Sequence, residues 1–495
     1  MKQNKLIAPH PRPTAGFAQP SGSGGAKRGF AKPRLRPLPG AGLLMKPLRS
    51  RTASIAGASL RIVGSLRSIA ICLLASLVST AALAGVKIEH WMAPTGAKVY
   101  FIETRVIPIL DVQIDFAAGG AFVPAAKSGL AGLTCSLLEA GAGDMDEEKI
   151  AGRLVDLGAR LGGGADSDRA SVSLRTLSSK AEREGALDLM RAVLSAPTFP
   201  QAVLEREKGR TIAGIRESET RPDAIAGKRF AAAIYPGHPY GVSPTVESVG
   251  AITREDLVAF HRGHYGAKGA VVSIIGDVSR AEAEAIALRL TEGLPPGGGA
   301  LVPPPVKKPQ REVVKVPHPA AQSHVHVGLP AISRSDPDYF PLLVGNYTLG
   351  GGGFVSRLMK EVREKRGYAY SVYSYFQPQQ VEGPFQIGLQ TKNEQADDAL
   401  KVVRETLETF LKQGPTEDEL KGAKQNITDG FVLRLDSNRK ILDQVAVIGF
   451  YRLPLDYLDQ YPKQIEKVTA QQVRDAFARR VRPDGMVTVV VGGGA

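Results

Sequence analysis

Residues 349–375 read LGGGGFVSRLMKEVREKRGYAYSVYSY. Four consecutive glycines, Gly350, Gly351, Gly352 and Gly353, run straight into a strongly charged helical pattern. Gly367 breaks that pattern, and an aromatic, alternating strand follows. Glycine admits positive φ and lets another backbone approach closely, so a glycine run feeding a helix reads as a hinge or a ligand-facing turn. Phe354, Leu358 and Val362 recur at every fourth position and predict one apolar helix face. Arg363 and Tyr370 stand seven residues apart across the Gly367 turn, so both are placed to project from one corner of a domain. The same residues also describe a solvated basic helix and a packed strand tyrosine, the usual meaning of a charge run on a helix. A phosphate cradle is excluded, because neither Gly-Lys-Ser nor Gly-Lys-Thr follows the glycines.

Working outward, the chain repeats one plan on either side of a linker. Before it, strands are predicted at 98–103, 107–117, 171–177 and 270–276 from their β-branched and alternating composition. Helices are predicted at 127–138, 146–157 with Asp144 as N-cap, 182–194, 201–216, from Thr253 to His264, and 280–290. Leu294 to Pro309, within a linker set at 294–317, is too rich in Pro and Gly for a regular element. After it the order of strands and helices recurs. At an offset of 216, Leu204, Lys208, Ile252, Thr253, Leu257 and Gly276 fall on Leu420, Lys424, Val468, Thr469, Val473 and Gly492. Earlier in each half the offset is 210, pairing Leu133, Gly141 and Gly143 with Leu343, Gly351 and Gly353. The expectation is an α+β chain of two homologous α/β sandwich halves, 85–293 and 318–495, facing one another across a cavity.

The net charge of +14 points to nucleic acid until it is divided along the chain. Residues 1–84 carry 13 Lys and Arg and no Asp or Glu, leaving 50 basic against 49 acidic residues in the rest. A nucleic-acid partner is thereby excluded for the folded part. Residues 1–44 have the composition of a disordered or untranslated leader. Met45 begins an export signal (45–84): a basic start, an apolar run from Ser68 to Leu83, and a small–x–small end at Ala82-Leu83-Ala84. The expectation is export to a bacterial periplasm, with an uncleaved membrane anchor as the alternative. Beyond that signal only Cys135 remains, so no internal disulfide can form.

The duplication, the signal and the 349–375 motif together resemble the insulinase/pitrilysin-type (M16) zinc peptidases, in particular the branch related to the mitochondrial processing peptidase. The matching segments are Gly129-Leu130-Ala131, the run from Arg363 through Ser371, and the strand ends at Gly276 and Gly492. The resemblance implies two-domain chains that pair around a chamber. In active members the helix continues as H-x-x-E-H, whose histidines bind zinc while the Glu activates water, with a later Glu as third ligand. Here Gly132-Leu133-Thr134-Cys135-Ser136 stands at that place, and Ala213 and Gly214 stand near the third-ligand position, with Glu217 and Glu219 close by. No metal is expected on this chain. Arg363 and Tyr370 match the family's Arg–Tyr pair, which contacts substrate and transition state, and Gly350 to Gly353 resemble its substrate-admitting glycine loop.

The resemblance therefore implies a non-catalytic, substrate-binding subunit whose partner carries H-x-x-E-H and the zinc, acting on a peptide or unfolded polypeptide. Two other readings remain open: a peptide-binding scaffold without proteolysis, and an autonomous hydrolase with a relocated metal at His261 and His264 or at His324 and His326. As a nucleophile Cys135 is disfavoured, since free cysteines on core helices are usually buried and inert.

Overall fold

The computed structural model describes residues 87–299 and 301–494. The leader expected at 1–44 and the signal expected at 45–84 lie outside the described residues. Among those described, no helix is long and apolar enough to cross a membrane.

In the first half, β1 (Glu89–Met92), β2 (Lys98–Glu103) and β3 (Ile109–Phe116) lead to α1 (Leu130–Ser136). A ribbon of β4 (Gly141–Ala142) and β5 (Met145–Asp146) precedes α2 (Glu147–Asp156), followed by β6 (Arg160–Ala165) and β7 (Ala170–Leu177). Then come α3 (Lys180–Ser195), α4 (Gln201–Ser218), α5 (Pro222–Ile234), α6 (Val246–Gly250), α7 (Arg254–His264), β8 (Val271–Gly276) and α8 (Arg280–Thr291). The second half runs β9 (Glu312–Val316), β10 (Gln322–Ile332), α9 (Tyr339–Asn346), β11 (Ala369–Phe376) and β12 (Gly383–Lys392). It closes with α10 (Ala396–Gln413), α11 (Glu417–Phe431), α12 (Asn438–Phe450), α13 (Tyr457–Lys467), α14 (Ala470–Arg480) and β13 (Val487–Val491).

The repeat is visible in the sheets. The first has strand order β1-β2-β8-β3-β7-β6 and the second β9-β13-β10-β12-β11. In each, one pair is parallel, β2 with β8 and β9 with β13, and the other pairs are antiparallel. β9 is therefore the counterpart of β2. The second half begins at Glu312, inside the expected linker, and only 294–311 lacks a regular element. Equivalent details recur at the predicted offset. Thr253 and Thr469 each close a capping box, with Asp256 and Gln472. Gly276 and Gly492 end β8 and β13 at φ +153° and +149°.

The two halves do not face each other as bodies hinged across a cavity. They exchange helices. In β2, Val99 and Phe101 enter the first half's core while Tyr100 and Ile102 enter the core of the second. That alternation follows from the period of two along a strand, and covering both faces explains the unbroken burial of β8 and β13. The second covering comes from α12, which packs on β2, β3 and β8. Reciprocally, α5 lays Ala226, Phe230 and Ile234 against Val487, Val489 and Val491 of β13.

Neither α5 nor α12 is among the elements that the sequence pattern predicts. Other expectations are corrected locally. The helix expected at 127–138 is split into α1 and flanking 3-10 turns, because Gly129 enters α1 in the left-handed region at φ +108°. Asp146, not Asp144, caps α2, its Oδ1 accepting the Lys149 N–H at 2.9 Å.

Candidate functional site

The stretch 347–364 is not one regular helix. Tyr347–Gly351 and Met359–Glu364 are π-helical turns, with a 3-10 turn at Gly353–Val355 between them. π turns concentrate at functional positions because they displace side chains from the regular helical path. Leu358 and Val362 are buried as their spacing predicts, but Phe354 is 65% exposed. It sits on the 3-10 turn rather than on the apolar face, a correction to the fourfold reading.

Three of the four glycines are there for close approach. A Cβ on Gly350 would lie 2.5 Å from Ser374 Oγ, one on Gly351 2.6 Å from Asn346 Nδ2, and one on Gly352 2.7 Å from the Tyr347 carbonyl. Ser374 Oγ donates to Asn346 Oδ1 at 2.7 Å, and Asn346 Nδ2 donates to the Ser374 carbonyl at 3.0 Å, locking the turn onto β11. Gly350 is buried, whereas Gly351 is exposed. Gly353 is exposed at φ +61°, and it turns the chain so that Phe354 points outward.

Arg363 and Tyr370 do meet. The Arg363 guanidinium lies 4.8 Å from the centre of the Tyr370 ring and 4.7 Å from that of Phe354. Three other cations of the segment have carboxylates: Arg357 pairs with Glu419 at 2.6 Å, and Lys365 and Arg366 with Glu361 at 2.6 and 2.8 Å. Among the described residues no carboxylate lies within 4.0 Å of Arg363. Both rings lie at cation–π distance from it, and among the described residues no side-chain hydrogen bond engages its N–H groups, which leaves them able to reach a carbonyl acceptor. Tyr370 is 79% exposed. It lies where the β11–β12 register shifts between Ala369 and Val372, a bulge that turns its side chain outward on an edge strand.

The family zinc positions carry neither the two histidines nor the glutamate of H-x-x-E-H. On α1, Gly132 and Ser136 are exposed where the two histidines would be, and Cys135 is buried. Burial pushes the Cys135 thiol up to about 12, and its Sγ faces the Ser171 carbonyl at 3.7 Å. It is an inert core group. On α4, Ala213, Gly214 and Glu217 are exposed, as is Glu219 beyond its end. Among the described residues no three His, Cys, Asp or Glu side chains converge as a metal site.

Three of the four histidines of these pairs are hydrogen-bonded within the fold. His261 Nε2 meets the Leu194 carbonyl at 2.8 Å and His264 Nδ1 the Ala117 carbonyl at 3.0 Å. Burial lowers the pKa of both. His326 is packed on Phe230, with its Nδ1 2.5 Å from Gln386 Nε2, and burial pushes its pKa down to about 4. Its neighbour on the same strand face, His324, is half-buried.

A family model described as "Peptidase M16 inactive domain" matches residues 251–427. The fold is similar to the crystal structure of a peptidase M16 inactive domain from Pseudomonas fluorescens, at 38% identity and a TM-score of 0.79, covering 82% of this chain and 98% of that one. The non-peptidase homolog YmxG of Helicobacter pylori is 25% identical over 399 residues, 79% of this chain and 91% of its own length. An uncharacterized zinc protease of Streptomyces coelicolor is 28% identical over 309 residues, 60% of this chain, and the match spans 66% of that relative's length.

Proposed function

This chain belongs to the M16 peptidase family as an inactive, peptidase-like member, and on that premise we propose that it is the non-catalytic, substrate-binding subunit of a heterodimeric zinc endopeptidase. The partner supplies H-x-x-E-H and the zinc. This chain supplies Arg363, Tyr370 and one wall of the chamber. The observation that carries the reading is the Arg363 guanidinium, at 4.7 and 4.8 Å from two exposed rings and without a carboxylate among the described residues.

Inside a closed chamber, its N–H edge can engage the carbonyls of an extended peptide. The Tyr370 phenol, exposed beside it, can donate to the oxyanion that forms when water attacks the scissile carbonyl. A donor of that kind contributes about 3–4 kcal/mol to lowering a barrier. With the basic, apolar leader preceding it, the chain is proposed to work in the periplasm, either released there or held to the membrane by that leader.

The test is co-purification with an H-x-x-E-H-bearing M16 chain from the same genome and assay of β-casein cleavage. The isolated chain should be inactive and free of stoichiometric zinc. The pair should be active, chelator-sensitive, and impaired by Arg363→Ala. Chelator-sensitive cleavage by the isolated chain would refute the reading, and an unimpaired Arg363→Ala, Tyr370→Phe complex would favour a peptide-binding scaffold.

A further inference from the structure

Phe354 has no place in the Arg–Tyr chemistry, and yet it costs the fold something to display. A phenylalanine 65% exposed, beside Val355 at 57% and Tyr370 at 79%, leaves apolar surface in water that burial elsewhere would have removed. Its backbone follows the left-handed turn at Gly353, and its ring is placed against the guanidinium rather than toward the core. We infer that Phe354 is the positioning and specificity residue of the Arg363 site, binding substrate as an extended segment with an aliphatic or aromatic side chain next to the carbonyl that Arg363 engages. This rests on the proposed function and deepens it.

Two features select that occupant. The guanidinium edge calls for a carbonyl acceptor, and β11 is an edge strand whose outer backbone groups can pair with an extended chain. A side chain standing off such a segment meets Phe354 and Val355, which offer apolar surface. A neutral polar side chain there would forfeit that burial. Phe354 also acts through Arg363: with the ring removed, the guanidinium keeps only the Tyr370 face and gains rotamers, so its carbonyl contact weakens.

The experiment uses the complete complex with its H-x-x-E-H partner and two nonapeptides of Gly and Ser differing only in a central Leu or Asn. For the Leu peptide, Phe354→Ala should raise KM about tenfold, the worth of one buried apolar side chain, and erase the preference over Asn. The thermal midpoint should stay unchanged, and Phe354→Tyr should restore both KM and preference. An unchanged KM and Leu/Asn ratio in Phe354→Ala, in a complex that Arg363→Ala impairs, would overturn the inference alone. If Arg363→Ala leaves cleavage intact, the proposed function falls and this falls with it.

Discussion

The carboxylate of Asp168, in the turn between β6 and β7, accepts the backbone N–H of Gln380, in the turn between β11 and β12, at 2.9 Å. The two hairpins belong to opposite halves. Tyr451, at the end of α12, donates to the same carboxylate at 2.9 Å, and Tyr240 donates to its other oxygen. Tyr235, at the end of α5, returns the contact by donating to the Glu382 carbonyl at 3.0 Å.

Asp168 is 1% exposed and its hydrogen-bond partners Tyr240, Gln380 and Tyr451 are neutral donors. Burial raises its pKa above the ordinary carboxylate range, against the opposing pull of those hydrogen bonds. The folded state therefore holds the proton more tightly than the unfolded chain. Its contribution to stability is full below about pH 3.9 and is lost as pH rises through the raised value. In urea titrations Asp168→Asn should flatten that part of the pH dependence. Asp168→Ala, which strands three buried donors, should cost about 3 kcal/mol or more. An Ala variant as stable as the parent would contradict this account of the junction.

His326 works in the opposite sense over neighbouring pH. Burial first, only partly offset by Gln386, holds it near 4 and hence neutral in the fold. The unfolded chain takes up that proton at about pH 6.5. Stability is present above that value and drains away as pH falls toward 4. His326→Gln should reduce the acid-side slope of the urea midpoint, and an unaltered slope would show that this ring does not titrate as stated.

Gly449 on α12 marks a close approach of the exchanged helix to the sheet. A Cβ there would lie 2.6 Å from Val271 Cγ1 and 2.8 Å from Tyr100 Cε2. Gly449→Ala should destabilise by about 1–3 kcal/mol despite alanine's better helix propensity. Gly422→Ala on α11, where nothing lies within 4 Å, should instead stabilise by up to about 1 kcal/mol. Equal effects at the two sites would mean that the close approach carries no energetic weight.

Arg363 and Tyr370 are surface groups and should behave as such in the isolated chain. Arg363→Lys and Tyr370→Phe should each change stability by no more than about 0.5 kcal/mol. In the active complex Tyr370→Phe should lower kcat about a hundredfold, the usual loss for one oxyanion donor. Arg363→Lys should raise KM, because a lysine keeps the charge but neither the planar stack nor the fork. A variant that unfolds the isolated chain would instead assign these residues to the structure.

The duplication was legible because it leaves marks that survive substitution: Thr253 and Thr469 as caps, Gly276 and Gly492 as strand ends. The missing zinc ligands were equally plain, since Gly132, Cys135 and Ser136 cannot be mistaken for H-x-x-E-H. What stayed hidden depends on partners distant in sequence. The apolar stripe of α5 is only Ala226, Phe230 and Ile234, with Tyr235 just beyond, and is complete only against β13 of the other half. The β9 strand sits at a sheet edge, where Val313 is exposed, and it follows a run of prolines that masks its pattern. Phe354 carries the spacing of a core residue, and only the π turns around it reveal that its ring points outward.

The exchange of α5 and α12 also governs the order in which the protein can be made. When β8 leaves the ribosome, the first sheet has its strands but lacks the cover for one face, and Tyr100, Ile102, Val271 and Ile275 remain in contact with water. That cover arrives only with residues 438–450. Until then the nascent first half carries a sticky apolar face, a natural client for a holding chaperone. Cutting the chain at 294–311 after folding should for the same reason leave two pieces that refuse to part.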